Sequence, residues 1–499
     1  MLFATLAVLV LTIAGMALSA TSLQALRISR LQQESSIAFN LAESGSERAI
    51  LYLRQQSSPP SGTAAFYPFG TTVSLGGGTY SVTIDPDDNN AMLLNKRYLV
   101  RSVGISNKRR EIVEVYLQLG SFGRYAYFTD YETSSIASGT IYFKAGDLID
   151  GPAHSNNTSN SDFNINWNGS ADAIFQDTLT SVSSQIDYTP RAPTTDTEWE
   201  RIFDSGSRGF RLGVNRVELP DTTDLQKNAA WGSTSGFPTA STGVFLSSAT
   251  PDHGIYIKGD STLTFSVTPE GWQKIVIVQG STTTNVVVRL DRNDTQVTVG
   301  STTTTYAGTT NGVIYSTGNI TSISGQLADS AMSGSTLLHR NAYTIATDVN
   351  NGKNITVTNN LTYKTQPDKT QAWDSAINLK SAALGLVARN VIISSTAPAN
   401  LTLDGVVLAG GRSTTDGSFY VSNYSSKTPT GVLTLRGGVI QKKRGPVGTF
   451  NASTGTTSTG YSKSYSYDQR MAVNPPPYFP TTGTYERLSF QRVQGGYAP

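Results

Sequence analysis

Between Met1 and Leu26 no side chain carries a charge, and no proline occurs before Pro59, so a single helix can run from the apolar stretch to about Gln56. At ~1.5 Å per residue such a helix is roughly 80 Å long, and its first half alone reaches across a hydrocarbon core of ~30 Å. One rod is then half membrane and half soluble. No basic segment precedes the run, and the first cations, Arg27 and Arg30, follow it, which is not the order of a secretory signal. Either a leader has been removed or the start lies upstream. The plainest alternative is an N-terminal membrane anchor with a soluble domain attached.

Beyond the span, Ile37, Leu41, Ala42, Gly45, Ala49, Tyr52 and Leu53 recur at three- and four-residue steps, while Ser46, Glu47, Arg48 and Gln55 are expected to face elsewhere. Ala42, Gly45 and Ala49 stack as small residues on the apolar face, which lets another backbone come close. Glycine inside a helix costs about 1 kcal/mol relative to alanine, so a packing role for Gly45 is the natural reading. The competing reading is a chance glycine in a surface helix. Leu41, Ala42, Gly45, Ala49 and Tyr52 are therefore the candidate contacts between helix and sheet.

With AFNLAESGSERA in its second half, this long helix resembles that of the type IV pilin superfamily, and in particular the PilX-like minor pilins. The runs GGGTYSVTID, NKRYLVRSVGIS and KRREIVEVYLQLG alternate apolar and polar residues between turn clusters, as strands of an antiparallel sheet do. In pilins such a sheet packs on the second half of the helix, and the resemblance covers about the first 120 residues. It implies insertion among other pilins through the helix, residence in the inner membrane before assembly, and a methylated N-terminus. Pilins usually carry a glutamate at the fifth mature position, whereas this chain has Thr5 and no acid before Glu34. If Met1 is the mature terminus, the loss of a carboxylate that would need a partner fits a subunit at the fibre tip.

The rest of the chain is rich in Thr, Ser, Asn and Gly, and only 15% of all residues are charged, a balance that favours strands joined by turns. GTIYFKAG, GIYIKG and GVIYSTG each place an Ile-Tyr pair between glycines. NVII, GVVL and GVIQ follow as apolar bursts after Asn or Gly. The fold class is thus an α+β pilin module, with the long N-terminal helix on an antiparallel sheet, joined to a large all-β domain. Stacked coils of a β-solenoid are expected for that domain, with a β-sandwich as the competing fold. The expected divisions are residues 1–26 for the membrane and fibre-core half of the helix and 27–122 for the amphipathic helix and sheet. They continue with 123–490 for the solenoid-like domain, carrying an inserted subdomain at about 160–300, and 485–499 for a return strand and tail. The architecture is similar to that of the large competence-associated pilins of the ComZ type in the Thermus and Deinococcus group.

Chemistry is sparse. There is no cysteine, and His154, His253 and His339 lie far apart, which leaves little for a zinc site or a thiol nucleophile. Net charge is +2, so any nucleic-acid binding must be local. Lys442, Lys443 and Arg444 precede Tyr461, Tyr465 and Tyr467, a candidate DNA site of phosphate contacts and stacking rings, with a charged strand edge as its rival. Lys108, Arg109 and Arg110 form a second basic cluster at a hairpin tip. His154 has Asp147 and Asp150 nearby but reads as a turn residue, and Asp85, Asp87, Asp88, Asn89 and Asn90 read as a solvated turn before a Ca²⁺ loop. Beyond residue 300, Asp329, Asp348, Asp368, Asp374, Asp404 and Asp416 are scattered, so a membrane-anchored polysaccharide enzyme is the weaker alternative and no cofactor is expected. The expected function is that of a large minor pilin at or near the tip. It would act in pilus assembly and bind an external ligand, with DNA during natural transformation preferred and a surface glycan as the alternative.

Overall fold

The computed structural model describes residues 1–56, 59–60, 62, 64–86, 96–158, 162–168, 173–204, 209–247 and 253–497. Two compact units emerge, one from residues 1–119 together with 483–499, the other from Gly120–Thr482.

In the first unit a helix spans Leu2–Gln55 without a break. It stops where Gln56 turns to extended backbone, just ahead of Pro59 and Pro60, which cannot donate to a further turn. Its side chains are exposed over the uncharged run, and burial begins at Ala38. Strands β1 (Val73–Leu75), β2 (Gly78–Pro86), β3 (Arg97–Ser106) and β4 (Arg109–Ser121) follow as an antiparallel meander. The C-terminal strand, Thr481–Tyr497, lies beyond β4 as the fifth in order. Asn107, with φ of 52°, makes the tight turn between β3 and β4, a conformation that asparagine tolerates better than most residues. The period of two sends Tyr80, Val82, Ile84, Tyr98, Val100, Val113, Val115 and Leu117 to one face, where they pack with Leu41, Ala49 and Leu53 of the helix.

The second unit is built on parallel ladders. In one, Ile255–Lys258, Val313–Ser316, Ala342–Thr347 and Ala383–Ala388 pair in succession, each with the next. The ends of Leu401–Ala409 and Gly431–Lys443 continue it. A second ladder joins Ser261–Val267, Ile320–Leu327, Ile355–Tyr363, Val391–Ile393 and Phe419–Val421. Consecutive parallel strands do not occur in a sandwich of antiparallel sheets. Corner asparagines hold the layers together. Asn319 Oδ1 accepts from the backbone N–H of Asn354 at 3.0 Å, Asn354 from that of Asn390 at 3.1 Å, and Asn390 from that of Ser418 at 3.0 Å. Two of the three Ile-Tyr pairs align in one ladder, where Tyr256 stacks on Tyr315 at 5.8 Å between centroids. The third differs: Ile141 and Tyr142 precede Phe143–Lys144, a short strand of a separate three-stranded parallel sheet. Between Ser261 and Ala307 five strands pair antiparallel in sequence order, departing from the layered pattern.

The chain joins this stack in the middle. Tyr127–Tyr131 pairs onward to Ala153–Ser155 and then Leu179–Ser181 and Phe210–Leu212, after which the chain resumes the ladder from Ile255. The strand Gly431–Lys443 finally pairs, in parallel, with Tyr127–Tyr131, matching Val439 to Tyr127 and Lys443 to Tyr131. A second pairing at this seam sets Ser464–Ser466 beside Leu148–Asp150.

Candidate functional site

The helix contact in the first unit depends on missing side chains. A Cβ on Gly45 would lie 2.8 Å from the Tyr80 ring and overlap Ser102, and a Cβ on Gly104 of β3 would overlap the backbone of Ala38 and Ala42. Gly45 thus makes room for side chains of the sheet, and Gly104 lets β3 approach the helix backbone at Ala38 and Ala42. Leu41, Ala42 and Ala49 are buried in this contact, and Tyr52 is half-buried with its ring 5.7 Å from that of Phe69. One residue departs from the expected polar face: Ser46 is fully buried and donates to the Glu43 carbonyl at 2.8 Å. Arg48 remains exposed while its guanidinium lies 4.3 Å over the Phe69 ring and donates to Tyr80 Oη at 2.8 Å. Glu47 pairs with Arg487 of the C-terminal strand.

The candidate DNA cluster is not a surface. Lys442, 7% exposed, pairs with Asp130 at 2.7 Å, and Arg444, 1% exposed, pairs with Glu132 at 2.6 Å while its guanidinium lies 3.9 Å from the Phe143 ring centroid. Tyr461 and Tyr465 are buried as well, Tyr461 Oη donating to the Pro398 carbonyl at 2.5 Å. Of the six, Lys443 and Tyr467 are half-buried and the other four are buried. Lys442 and Arg444 sit where the last layers meet the first, and the acids that neutralise them, Asp130 and Glu132, come from the opening of the unit. A neighbouring acid, Asp162, is fully buried and accepts from Ser155 Oγ at 2.8 Å and from Ser181 Oγ. Burial first, and then the nearby Glu132, push its pKa up to about 7.

The remaining candidates separate. His154 is buried with Nδ1 2.8 Å from Thr180 Oγ1 and Nε2 3.0 Å from Asn156 Oδ1, its ring stacked on Phe128. Burial pulls its pKa down to about 4, so it is neutral at pH 7 and serves as a hydrogen-bonding residue. Asp147 and Asp150 pair elsewhere, with Lys463 and Lys369. Asp87, Asp88, Asn89 and Asn90 lie outside the described residues; Asp85 is a half-buried residue of β2. Lys108 is exposed at the turn before β4, and Arg109 and Arg110 are half-buried. Asp329 lies between Lys364 and Lys380, Asp404 pairs with Arg436 and Asp416 with Arg389. Among the described residues no three His, Asp or Glu side chains gather as a metal site.

A groove that the motif search did not single out opens beside the seam, with a volume of about 330 Å³. Tyr142, Tyr424, Phe450 and Tyr461 line it, together with Lys144 and Lys463. Its signal in the sequence was the third Ile-Tyr pair, at Tyr142, which stands out of the ladder and meets the Phe450 ring edge-on at 6.0 Å. Burial pulls the Lys463 pKa down, with Asp147 opposing that pull.

No family model matches the sequence, and no curated protein matches it. Among solved structures the chain is similar to the competence-associated pilin ComZ from Thermus thermophilus, at 13% identity over 93% of this chain and 98% of that one, with a TM-score of 0.29. A superposition this loose adds nothing to the architecture, which stands on the chain's own geometry. That geometry, a long N-terminal helix apolar and exposed in its first half and packed on an antiparallel sheet in its second, fits a type IV pilin-like protein.

Proposed function

We propose that the chain is a large minor pilin of a type IV pilus, held in the inner membrane by the first half of its helix and carried after assembly in the extracellular fibre, at or near the tip. The observation that carries this reading is the unbroken helix Leu2–Gln55, whose uncharged, exposed half is long and apolar enough to cross a membrane and whose other half is buried on its own sheet. Left exposed, that apolar half has two suitable surroundings, lipid before assembly and the helices of other pilins after it.

The size of the Gly120–Thr482 unit supports a terminal place, since such a body on every subunit would obstruct close packing along a shaft. Its parallel ladders and corner asparagines support a β-solenoid. We read its work as binding rather than catalysis, because Asp329, Asp404 and Asp416 stand in separate ion pairs and do not converge as acid and base. A surface glycan becomes the ligand to test before DNA, because the residues expected to hold DNA are inside the stack. A deletion strain tests the reading: pili should be reduced in number, or present but unable to support adhesion or DNA uptake. A deletion that leaves piliation, adhesion and DNA uptake unchanged would overturn it.

A further inference from the structure

The groove beside the seam has the size of a small-ligand site, which is typically about 300–1,000 Å³. Its walls are aromatic and its charge is unbalanced. Asp147 accepts from the backbone N–H of Lys144 at 3.2 Å and of Lys463 at 3.1 Å, from Lys463 Nζ at 2.6 Å, and faces Lys144 Nζ at 3.7 Å. One carboxylate thus serves two lysines, and its oxygens are saturated by these four groups. Each ammonium has three N–H groups, and among the described residues each reaches, besides Asp147, only one carbonyl, Lys144 that of Ala145 at 3.1 Å and Lys463 that of Tyr142 at 3.3 Å. The groove therefore carries an excess positive charge with donor capacity left over.

We infer that this groove binds an acidic saccharide, taking one hexuronate carboxylate at Lys144 and Lys463 while the pyranose C–H face lies on Phe450. The wall geometry favours a sugar over a nucleobase. Tyr142 and Phe450 meet at 75° between ring planes and leave no parallel slot for a flat base, whereas a sugar ring needs one aromatic face at a time. A single surplus cation suits one carboxylate and not a run of phosphates, which are neutralised by several exposed lysines or arginines. The inference uses only the Gly120–Thr482 unit, so it stands or falls separately from insertion into a pilus.

Calorimetric titration of the full chain in detergent with trigalacturonate, neutral galactotriose and a thymidine oligonucleotide is the test. Trigalacturonate should bind at least about tenfold tighter than galactotriose, the worth of one charge-assisted hydrogen bond. Lys463→Gln should remove that preference, but it also disturbs the seam, so Phe450→Ala at the half-buried wall is the second variant. Phe450→Ala should weaken trigalacturonate about tenfold with an unchanged melting temperature. No binding of trigalacturonate, equal binding of the neutral trisaccharide, displacement of it by the oligonucleotide at equal concentration, or an unaltered affinity in Phe450→Ala would each overturn the inference.

Discussion

The helix contact of the first unit and the seam of the second solve the same problem, joining segments far apart in the chain, by opposite means. At the helix, Gly45 makes room for the Ser102, Tyr80 and Val82 side chains and Gly104 for the backbone of Ala38 and Ala42, and the surrounding contact is apolar. At the seam, Lys442, Arg444 and Lys463 are buried and each is paired with an acid, Asp130, Glu132 and Asp147 respectively. Shape carries the first contact, and charge matching specifies the second. A buried ion pair contributes little net stability when intact but is expensive to break, whereas a glycine contact fails through overlap.

The largest effect should therefore come from the seam. Arg444→Ala leaves Glu132 buried without its cation and should destabilise the second unit by about 3–5 kcal/mol in chemical denaturation. Arg444→Met combined with Glu132→Leu should recover most of that loss. Equal damage from the single and double variants would show that charge matching is not what joins the layers. Next, Gly104→Ala forces the new methyl group into the backbone of Ala38 and should cost about 1–3 kcal/mol in the first unit, with hydrogen exchange rising at β3 and in the helix around Ala42.

The two regions should also answer pH in opposite directions. Glu111 is pushed up by burial but pulled down further by hydrogen bonds from Arg492 and Ser35, so its folded pKa lies below the ordinary 4.5. Its contribution is present above that value and is lost as pH falls through the folded pKa. Asp162 is the reverse, raised from 3.8 to about 7, so its contribution is fully present below 3.8 and is lost as pH rises to about 7. Asp162→Asn should flatten the decline in second-unit stability between those values; an unchanged pH profile would remove Asp162 from the explanation. The smallest effect belongs to Glu47→Ala, whose pair with Arg487 is solvent-exposed and worth about 0.2–1 kcal/mol.

These contrasts also explain what could be read before the structure. A helix writes its buried face into local spacing, so Leu41, Ala42, Gly45 and Ala49 were legible, although Gly104, which admits the helix backbone at Ala38 and Ala42, was not. Ser46 escaped because a small hydroxyl bonded to its own helical turn can be buried in an apolar contact. In a strand, burial depends on what pairs alongside. Lys442, Lys443 and Arg444 looked like an exposed basic edge because the acid that covers Arg444 lies 312 residues away. Asn390, at the head of the apolar burst NVII, was legible, whereas Asn319 and Asn354, which continue its hydrogen-bonded line through the layers, were not. Nothing local marked the point where the chain joins the stack in its middle, since that is fixed by pairing between Tyr127–Tyr131 and Gly431–Lys443.

The pilin reading turns on where the protein resides. Immunogold electron microscopy of sheared pili, with antibody raised to the Gly120–Thr482 unit, should place gold at fibre ends. Fibres free of label while all of the protein stays with the membrane fraction would contradict it.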